Sequence, residues 1–427
     1  MINRIKTIFI IIAVVTGSIS FRAATQAAST VTINWNDVHQ QIDGFGAASP
    51  YINSLTTAQA DMFFSADKGI GLSLLRNRIA PNGTTLELSV MQQAVARGAK
   101  VWSTPWSPPA AWKDNNNVNN GGQLLASHYQ DYANQFATYV ANMKASGVPL
   151  YAVSIQNEPD LSVSYESCVW TAQQMHDFVP YLYNALVAKG VADTKIMIAE
   201  QSHWYVDLTS AAMADSNTAS MVGIIAAHGY YTPSPGAINT NGKPLWQTET
   251  STFNDSYDGS ISNAVTWATN IHQFMTVAQT NAWLYWWLIS GNPDNEGLTD
   301  QSGNPAKRMY TMGNFSKFVR PGYYRIGVTN SGALLVSAYK DPASGNISIV
   351  VINPSGSASS QTFSFNGFPP NSVTPWVTSA TLSLAQQSAV AVSNGSFTYT
   401  LPASSVVTFV GQNPTSPPAA PRNLRTR

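Results

Sequence analysis

The chain has 427 residues, of which 10% are charged, and its 22 basic and 22 acidic side chains balance to zero. That length buries a large core in one big domain or two, and the balance excludes the electrostatic footprint of a nucleic-acid or anionic-membrane binder. Aromatics are plentiful instead, with 12 Trp and 18 Tyr, whose apolar faces and polar tips suit core packing or sugar rings.

Taken in chain order, residues 1–28 read as a secretory signal. Arg4 and Lys6 supply the positive start, Ile8 to Val15 the apolar stretch and Ala24 to Ala28 the small-residue exit. The apolar stretch is too short to span a bilayer, so a secreted, extracellular protein is expected. Its one cysteine, Cys168, allows no intrachain disulfide, and stability has to come from the core. Residues 29–41, containing VTINWNDVHQQ, have the pattern of a strand that pairs with β structure elsewhere.

Residues 42–324 carry eight continuous apolar runs: IDGFGA, LSLLRNRI, KVWSTPW, LYAVSIQ, KIMIAEQ, GIIAAHGY, PLWQTE and AWLYWWLI. Such runs suit parallel strands buried on both faces. Helix-patterned stretches separate most of them, for example the ones stopping at Gly147 and Gly190. Eight strands alternating with helices predict an α/β fold, a (β/α)8 TIM barrel. An open doubly wound sheet competes, but it normally needs a glycine-rich phosphate turn, and GFGAAS and GIGLSL both lack the third glycine. In residues 325–411 helical periodicity gives way to short β-rich runs separated by turn residues, which predicts an appended β-sandwich side domain. Residues 412–427 read as a Pro-rich linker or the stump of a further module.

Only six glutamates occur: Glu87, Glu158, Glu166, Glu200, Glu249 and Glu296. Glu158 and Glu249, 249 − 158 = 91 residues apart, end predicted strands, where a barrel gathers its catalytic groups. Paired carboxyl groups there fit glycosidic-bond hydrolysis, and a retaining pair would stand ~5–5.5 Å apart. Asn157-Glu158-Pro159 leaves its strand at the proline, with Asn157 as a neutral donor beside the carboxyl group. Glu249 follows Trp246-Gln247-Thr248, and Arg76 and Tyr230 are the strand-end cation and phenol able to keep a carboxylate ionised. Glu200 also ends a predicted strand, and spacing alone leaves it a competitor for the pair.

The six histidines form no HExxH pair and one cysteine makes no thiolate cage, so neither a metal nor a cofactor is expected. No G-x-S-x-G elbow is present. His228 and His203 are placed at the cleft. Trp106, Trp112, Trp170, Trp204 and Trp287, all at or just after strand ends, suggest a sugar-stacking face.

The stretches IDGFGAAS, LLRNRIAP, WSPPAAWK, VSIQNEPD, HGY, WQTE and YWW, in that order, resemble glycoside hydrolase family 30 of the retaining clan A, most closely its bacterial xylanase branch. The similarity covers roughly residues 31–411 and includes the appended β domain. It implies Glu158 as acid/base, Glu249 as nucleophile, and Arg76, Trp106, Asn157, His228, Tyr230 and Trp286 lining the subsite for the attacked sugar. The chain departs from branch members that require glucuronic acid side groups and carry an arginine after the eighth strand. Here that loop reads LISGNPDNEGLTD, with Asp294 and Glu296 and no arginine. The expectation is a monomeric, retaining endo-β-1,4-xylanase acting on xylan or xylooligosaccharides without dependence on glucuronate. An exo-acting xylobiose-releasing enzyme, another β-glycanase and a non-catalytic carbohydrate-binding protein are the competing readings. Lys113 and Arg308 are the other cations considered for a carboxylate side group.

Overall fold

The computed structural model describes residues 30–412 apart from residue 254. The proposed signal segment and the Pro-rich run after Gln412 lie outside the described residues. Strand β1 (Thr30–Gln41) is followed by β2 (Gly44–Ala48), β3 (Leu74–Ile79), β4 (Lys100–Pro105), β5 (Leu150–Ser154), β6 (Lys195–His203), β7 (Val222–Tyr230), β8 (Leu245–Gln247) and β9 (Ala282–Ile289). Among the described residues β2 to β9 pair in parallel in sequence order. Pairing of β9 with both β2 and β8 closes them into the eight-stranded barrel. Short β10 (Gly297–Thr299) extends the β9 edge.

All eight apolar runs therefore became barrel strands. The intervening helices start and stop on local chemistry. Helix 172–188 begins with a capping box, the Thr171 side chain accepting from the Gln174 backbone while the Gln174 side chain returns to Thr171. After it Gly190 takes φ +73°, the left-handed turn that glycine adopts at no steric cost.

The bore of the barrel shows why alternate residues matter. Leu74, Trp102, Ala152, Met197, Ile224, Ala226, Trp246, Ala282 and Leu284 form one buried apolar cluster. Trp102 meets Trp246 edge-on at 6.2 Å, and Tyr151 stacks on Trp246 at 5.8 Å. Two residues further along the same strands, the sequence changes to Arg76, Thr104, Ser154 and His228. The period of two along a strand puts both sets on the inner face. One half of the bore is a hydrophobic plug, and the half toward the strands' carboxyl ends is polar.

The remaining strands are β11 (Tyr324–Thr329), β12 (Leu335–Lys340), β13 (Asn346–Asn353), β14 (Ser359–Asn366), β15 (Ser372–Thr378), β16 (Ala385–Gln386), β17 (Val390–Ala391), β18 (Ser396–Leu401) and β19 (Ser405–Gln412). With β1 they make one continuous ten-stranded sheet among the described residues. It curls around its own core of Ile33, Trp35, Ile349, Phe363, Phe397 and Phe409. The expected sandwich is thus a single curled sheet, antiparallel except where β1 runs parallel to β14. β1 is central to it, bonded to β11 on one side and β14 on the other. β13 is buried on both faces: Ile349 and Val351 face the sheet's own core, while Val350 and Ile352 join the barrel's cluster. Asn314, from helix 307–316 of the barrel, donates to the Trp376 carbonyl at 2.9 Å and accepts at its own carbonyl from Thr408 at 2.6 Å. These contacts fasten the curled sheet to the barrel.

Candidate active site

Arg76 stands at the centre of the polar half of the bore, fully buried. Its Nε donates to Glu200 Oε1 at 2.8 Å, Nη2 donates to Asn157 Oδ1 at 2.5 Å, and Nη1 is ion-paired with Glu249 Oε2. Three aromatic faces surround the guanidinium, with Trp106, Trp102 and Trp286 centroids at 4.8, 5.4 and 5.7 Å. The planar fork satisfies several acceptors at once, which a lysine ammonium would not do.

Two unusual backbone segments aim the carboxyl groups. In β6, Ala199 opposes Ala226 and Gln201 opposes Ala227 on β7, so Glu200 is an extra residue, a bulge. Ala199 and Glu200 take φ +75° and +51°. Strict alternation would point Glu200 out of the barrel; the bulge turns it inward. Glu158 takes φ +45° just before Pro159, a conformation that costs of order 1–3 kcal/mol and persists where its surroundings over-determine it. Here the Asn157 amide donates to the Pro105 carbonyl at 2.9 Å, the Glu158 amide to the Glu200 carbonyl at 3.1 Å, and the Leu161 amide to the Glu158 carbonyl at 3.0 Å. The β6 bulge thereby also holds the Glu158 turn.

One oxygen of Glu158, one of Glu249 and a ring nitrogen of His228 lie within 4.8 Å of one another. His228 Nδ1 is 3.2 Å from Glu158 Oε1, and its Nε2 is 3.5 Å from Glu200 and 3.7 Å from Glu249. Tyr230 donates its phenol to Glu249 Oε1 at 2.9 Å. Thr104 donates to Glu200 Oε2 at 2.9 Å.

The charges follow from these neighbours. Burial opposes a charge on His228, but the Glu249, Glu158 and Glu200 carboxylates outweigh it and push the imidazole up to about 10. Burial likewise works against the Glu200 carboxylate, yet Arg76 and His228 more than offset it and hold that group below its ordinary value. Arg76 is raised because Glu200 and Glu249 outweigh its burial. Glu249 is raised, by burial first and by the negative charge of Glu158, against the pull of His228, Arg76 and the Tyr230 hydrogen bond. The two glutamates across Arg76 are thus pushed in opposite directions, and the charge on Glu158 is one of the causes. Tyr230 is raised well above its usual range, chiefly by burial and then by Glu249, and stays a donor. Glu158, His228 and Glu249 are close enough together to surround a cation, and the Arg76 guanidinium already supplies a positive charge there, paired with Glu249 and Glu200.

Above the cluster opens a cleft of about 610 Å³ lined by Trp106, Asn157, Glu158, Tyr230, Glu249 and Trp286, among others. Arg76 and His228 lie directly beneath. All eight expected site residues are gathered in one place. Glu200 is not among the cleft's lining and is fully buried below it, which suits a counter-charge rather than a reacting group. His203 does line the cleft.

The tryptophan expectation needs correction. Trp106 and Trp287 face the cleft, whereas Trp112, Trp170 and Trp204 do not. Trp112 stacks on His128 at 5.8 Å, Trp170 on Tyr129 at 6.3 Å, and Trp204 meets Phe274 edge-on at 4.8 Å. They belong to loops that turn back over the helices, so their large apolar area goes into packing. Lys113 and Arg308 are likewise structural. Lys113 is buried, donating to the Ser167 carbonyl at 2.6 Å, and Arg308 is buried, donating to Gly297 and Asp258 carbonyls at 2.8 and 2.7 Å. Sequence reasoning missed Tyr51, Leu161, Tyr165, Ser202, Tyr231, Phe253 and Asn292, which also line the cleft. The exposed aromatics in loops were the available signal.

Two carboxyl groups a few ångström apart at the carboxyl rim of a barrel, under an aromatic cleft, define the site of a glycoside hydrolase. The family model for the glycosyl hydrolase family 30 TIM-barrel domain matches residues 66–257. Glucuronoxylanase XynC of Bacillus subtilis (strain 168) is 32% identical, over 90% of this chain and 92% of its own. The chain belongs to glycoside hydrolase family 30. Among solved structures it is similar to the family 30 subfamily 8 xylanase Xyn30A from Clostridium acetobutylicum, with 36% identity and a TM-score of 0.82, covering 90% of this chain and 99% of that one. A family 30 endoxylanase from Clostridium papyrosolvens C71 matches at 32% identity and a TM-score of 0.77, covering 90% and 100%.

Proposed function

We propose that this enzyme is a retaining endo-β-1,4-xylanase in which Glu249 attacks the anomeric carbon and Glu158 is the acid/base. The observation that carries the reading is that one carboxylate oxygen of Glu158 and one of Glu249 lie within 4.8 Å of each other, an approach compatible with the ~5–5.5 Å carboxyl separation of a retaining pair. Their partners divide the work. Glu249 is met by Arg76 and Tyr230, donors that stabilise an anion. Glu158 opens to the cleft and to His228. Glu200 and Glu249 face Arg76 and His228 across the buried cluster. Glu158 then protonates the leaving oxygen as Glu249 bonds to the sugar, and in the second step removes a proton from the water that releases it. Asn157, fixed by Arg76, presents its amide to the attacked sugar, and Trp106 and Trp286 wall that subsite.

Xylan as substrate is supported by the xylanases to which the chain is similar. The Bacillus relative is named for glucuronoxylan, but among the described residues no Lys or Arg lines this cleft, so a glucuronate side group finds no cation to pair with. We place the enzyme outside the cell, acting as a monomer, with the leader-like residues 1–28 supporting export. Product sizing on glucuronate-free xylan and on glucuronoxylan tests the reading. A ladder of oligosaccharides from the first minutes is expected, with kcat/KM on the two polymers within about tenfold, where tenfold is ~1.4 kcal/mol. Xylobiose alone would mean exo action, and a hundredfold preference for glucuronoxylan would mean a glucuronate requirement.

A further inference from the structure

The wall of the cleft that continues from Trp286 is made by Trp287, Asn292 and Glu296, and the loop carrying the last two is built rather than loose. Asp294 Oδ1 accepts from the Ser290 hydroxyl at 2.9 Å and from the Glu296 amide at 3.0 Å. Asn295 Oδ1 accepts from Arg308 Nη1 at 2.9 Å, and Asn295 Nδ2 donates to Asp255 Oδ2 at 2.8 Å. Gly291 lies so close to Trp287 that a Cβ there would come within 2.9 Å of the ring. On this support Asn292 Nδ2 donates to Glu296 Oε2 at 3.2 Å, which orients a carboxylate that lines the cleft. Glu296 is half-buried, and its pKa is raised. Burial is the largest cause of that direction, and the negative charges of Asp294 and Glu249 add to it. The arginines nearest the site are committed: Arg76 to Glu200 and Glu249, Arg78 to Glu166 and Arg308 to carbonyls.

We infer that Glu296, oriented by Asn292 beside Trp287, is the residue that selects among side groups on the bound chain, accepting hydroxyl hydrogen bonds from neutral sugars and turning away a substituent that carries a carboxylate. The inference rests on the reading of the cleft as a xylan site and goes further, since lack of a cation alone would make the enzyme indifferent to the acid. An oriented carboxylate is a good acceptor for sugar hydroxyls, and a second carboxylate brought beside it meets like-charge repulsion in a partly desolvated place. A polymer with sparse branches conceals the effect, because the enzyme can bind its bare stretches.

The test uses a β-1,4-xylooligosaccharide with a single glucuronosyl branch, as the free acid and as its methyl ester, with product masses identifying which bond is cut. Esterification removes the charge without altering the protein. For cleavage that seats the branch at the Trp287 wall, the wild-type enzyme is expected to favour the ester by about tenfold in kcat/KM, and Glu296→Gln to bring the two within about threefold. Equal rates on acid and ester in the wild type would overturn the inference. So would an ester preference that persists in Glu296→Gln, which would assign the selection to the surrounding field. Should no xylan be cut at all, the xylanase reading fails, and calorimetric titration of Glu158→Gln with the same two ligands still reads the ratio. In that arm, equal affinity for acid and ester, or no binding of either, overturns the inference.

Discussion

The two halves of the barrel bore lie on the same strands and differ in everything else. Leu74, Trp102, Met197, Ile224 and Trp246 form a dry plug. Two to four residues further along, Arg76, Thr104, Glu200, His228 and Glu249 bring two carboxyl groups, an arginine and a histidine together in buried positions. The plug gains from every apolar surface it buries. The charged half loses desolvation free energy that its ion pairs only partly return. The comparison teaches that the stability of the barrel sits at one end of the bore, which allows the other end to keep charges arranged for chemistry. Removing a plug residue should therefore cost stability, and removing a carboxyl group from the cluster should cost rate.

The largest effect is expected at the nucleophile. Glu249→Ala should lower kcat on the order of 10⁴-fold or more, and azide in the vacant space should restore cleavage with the opposite anomeric outcome. Glu158→Ala should keep most of its activity on aryl glycosides whose leaving groups need no proton. Equal losses in both variants on such a substrate would merge the two roles.

Next in size is the plug. Trp246→Ala should destabilise the fold by ~3–5 kcal/mol in denaturant unfolding, while the folded fraction keeps its KM. A large change in KM with little loss of stability would mean that the two halves of the bore are not separable.

The smallest effect is a slope with pH. The folded pKa of His228 is raised from 6.5 to about 10. Its contribution to stability is therefore fully present below pH 6.5 and is lost as pH rises toward about 10. Glu200 is shifted down, so its contribution is present above its unfolded value and is lost on acidification through its folded one. His228→Asn should flatten the alkaline fall in melting temperature and also weaken the acid limb, because His228 is one of the groups that hold Glu200 down. An unchanged alkaline limb would mean that another group controls it.

Much of this arrangement was legible in the sequence. Parallel barrel strands are apolar on both faces, so IDGFGA, KVWSTPW and AWLYWWLI stand out as continuous runs, and the few polar residues at their ends, Arg76, Glu158, His228 and Glu249, mark the rim. What stayed hidden depends on backbone geometry or tertiary packing. The inward turn of Glu200 comes from a bulge with Ala199 at φ +75°, a conformation that no residue type there announces. Strand Tyr324–Thr329 was hidden by the boundary between the two textures, and the curled sheet differs from a sandwich only in which edges bond. Trp112, Trp170 and Trp204 share strand-end positions with Trp106, and only the path of each loop decides which rings reach the cleft. The place of Glu296 depends in the same way on how residues 290–297 fold back over Trp287.

The anomeric form of the first product tests the central pairing most directly. Proton NMR of a xylooligosaccharide during the first minutes of cleavage should show the β-anomer of the newly formed reducing end, with the α-anomer growing in only through mutarotation. Initial release of the α-anomer would contradict attack by Glu249, and would require a water between the two glutamates instead.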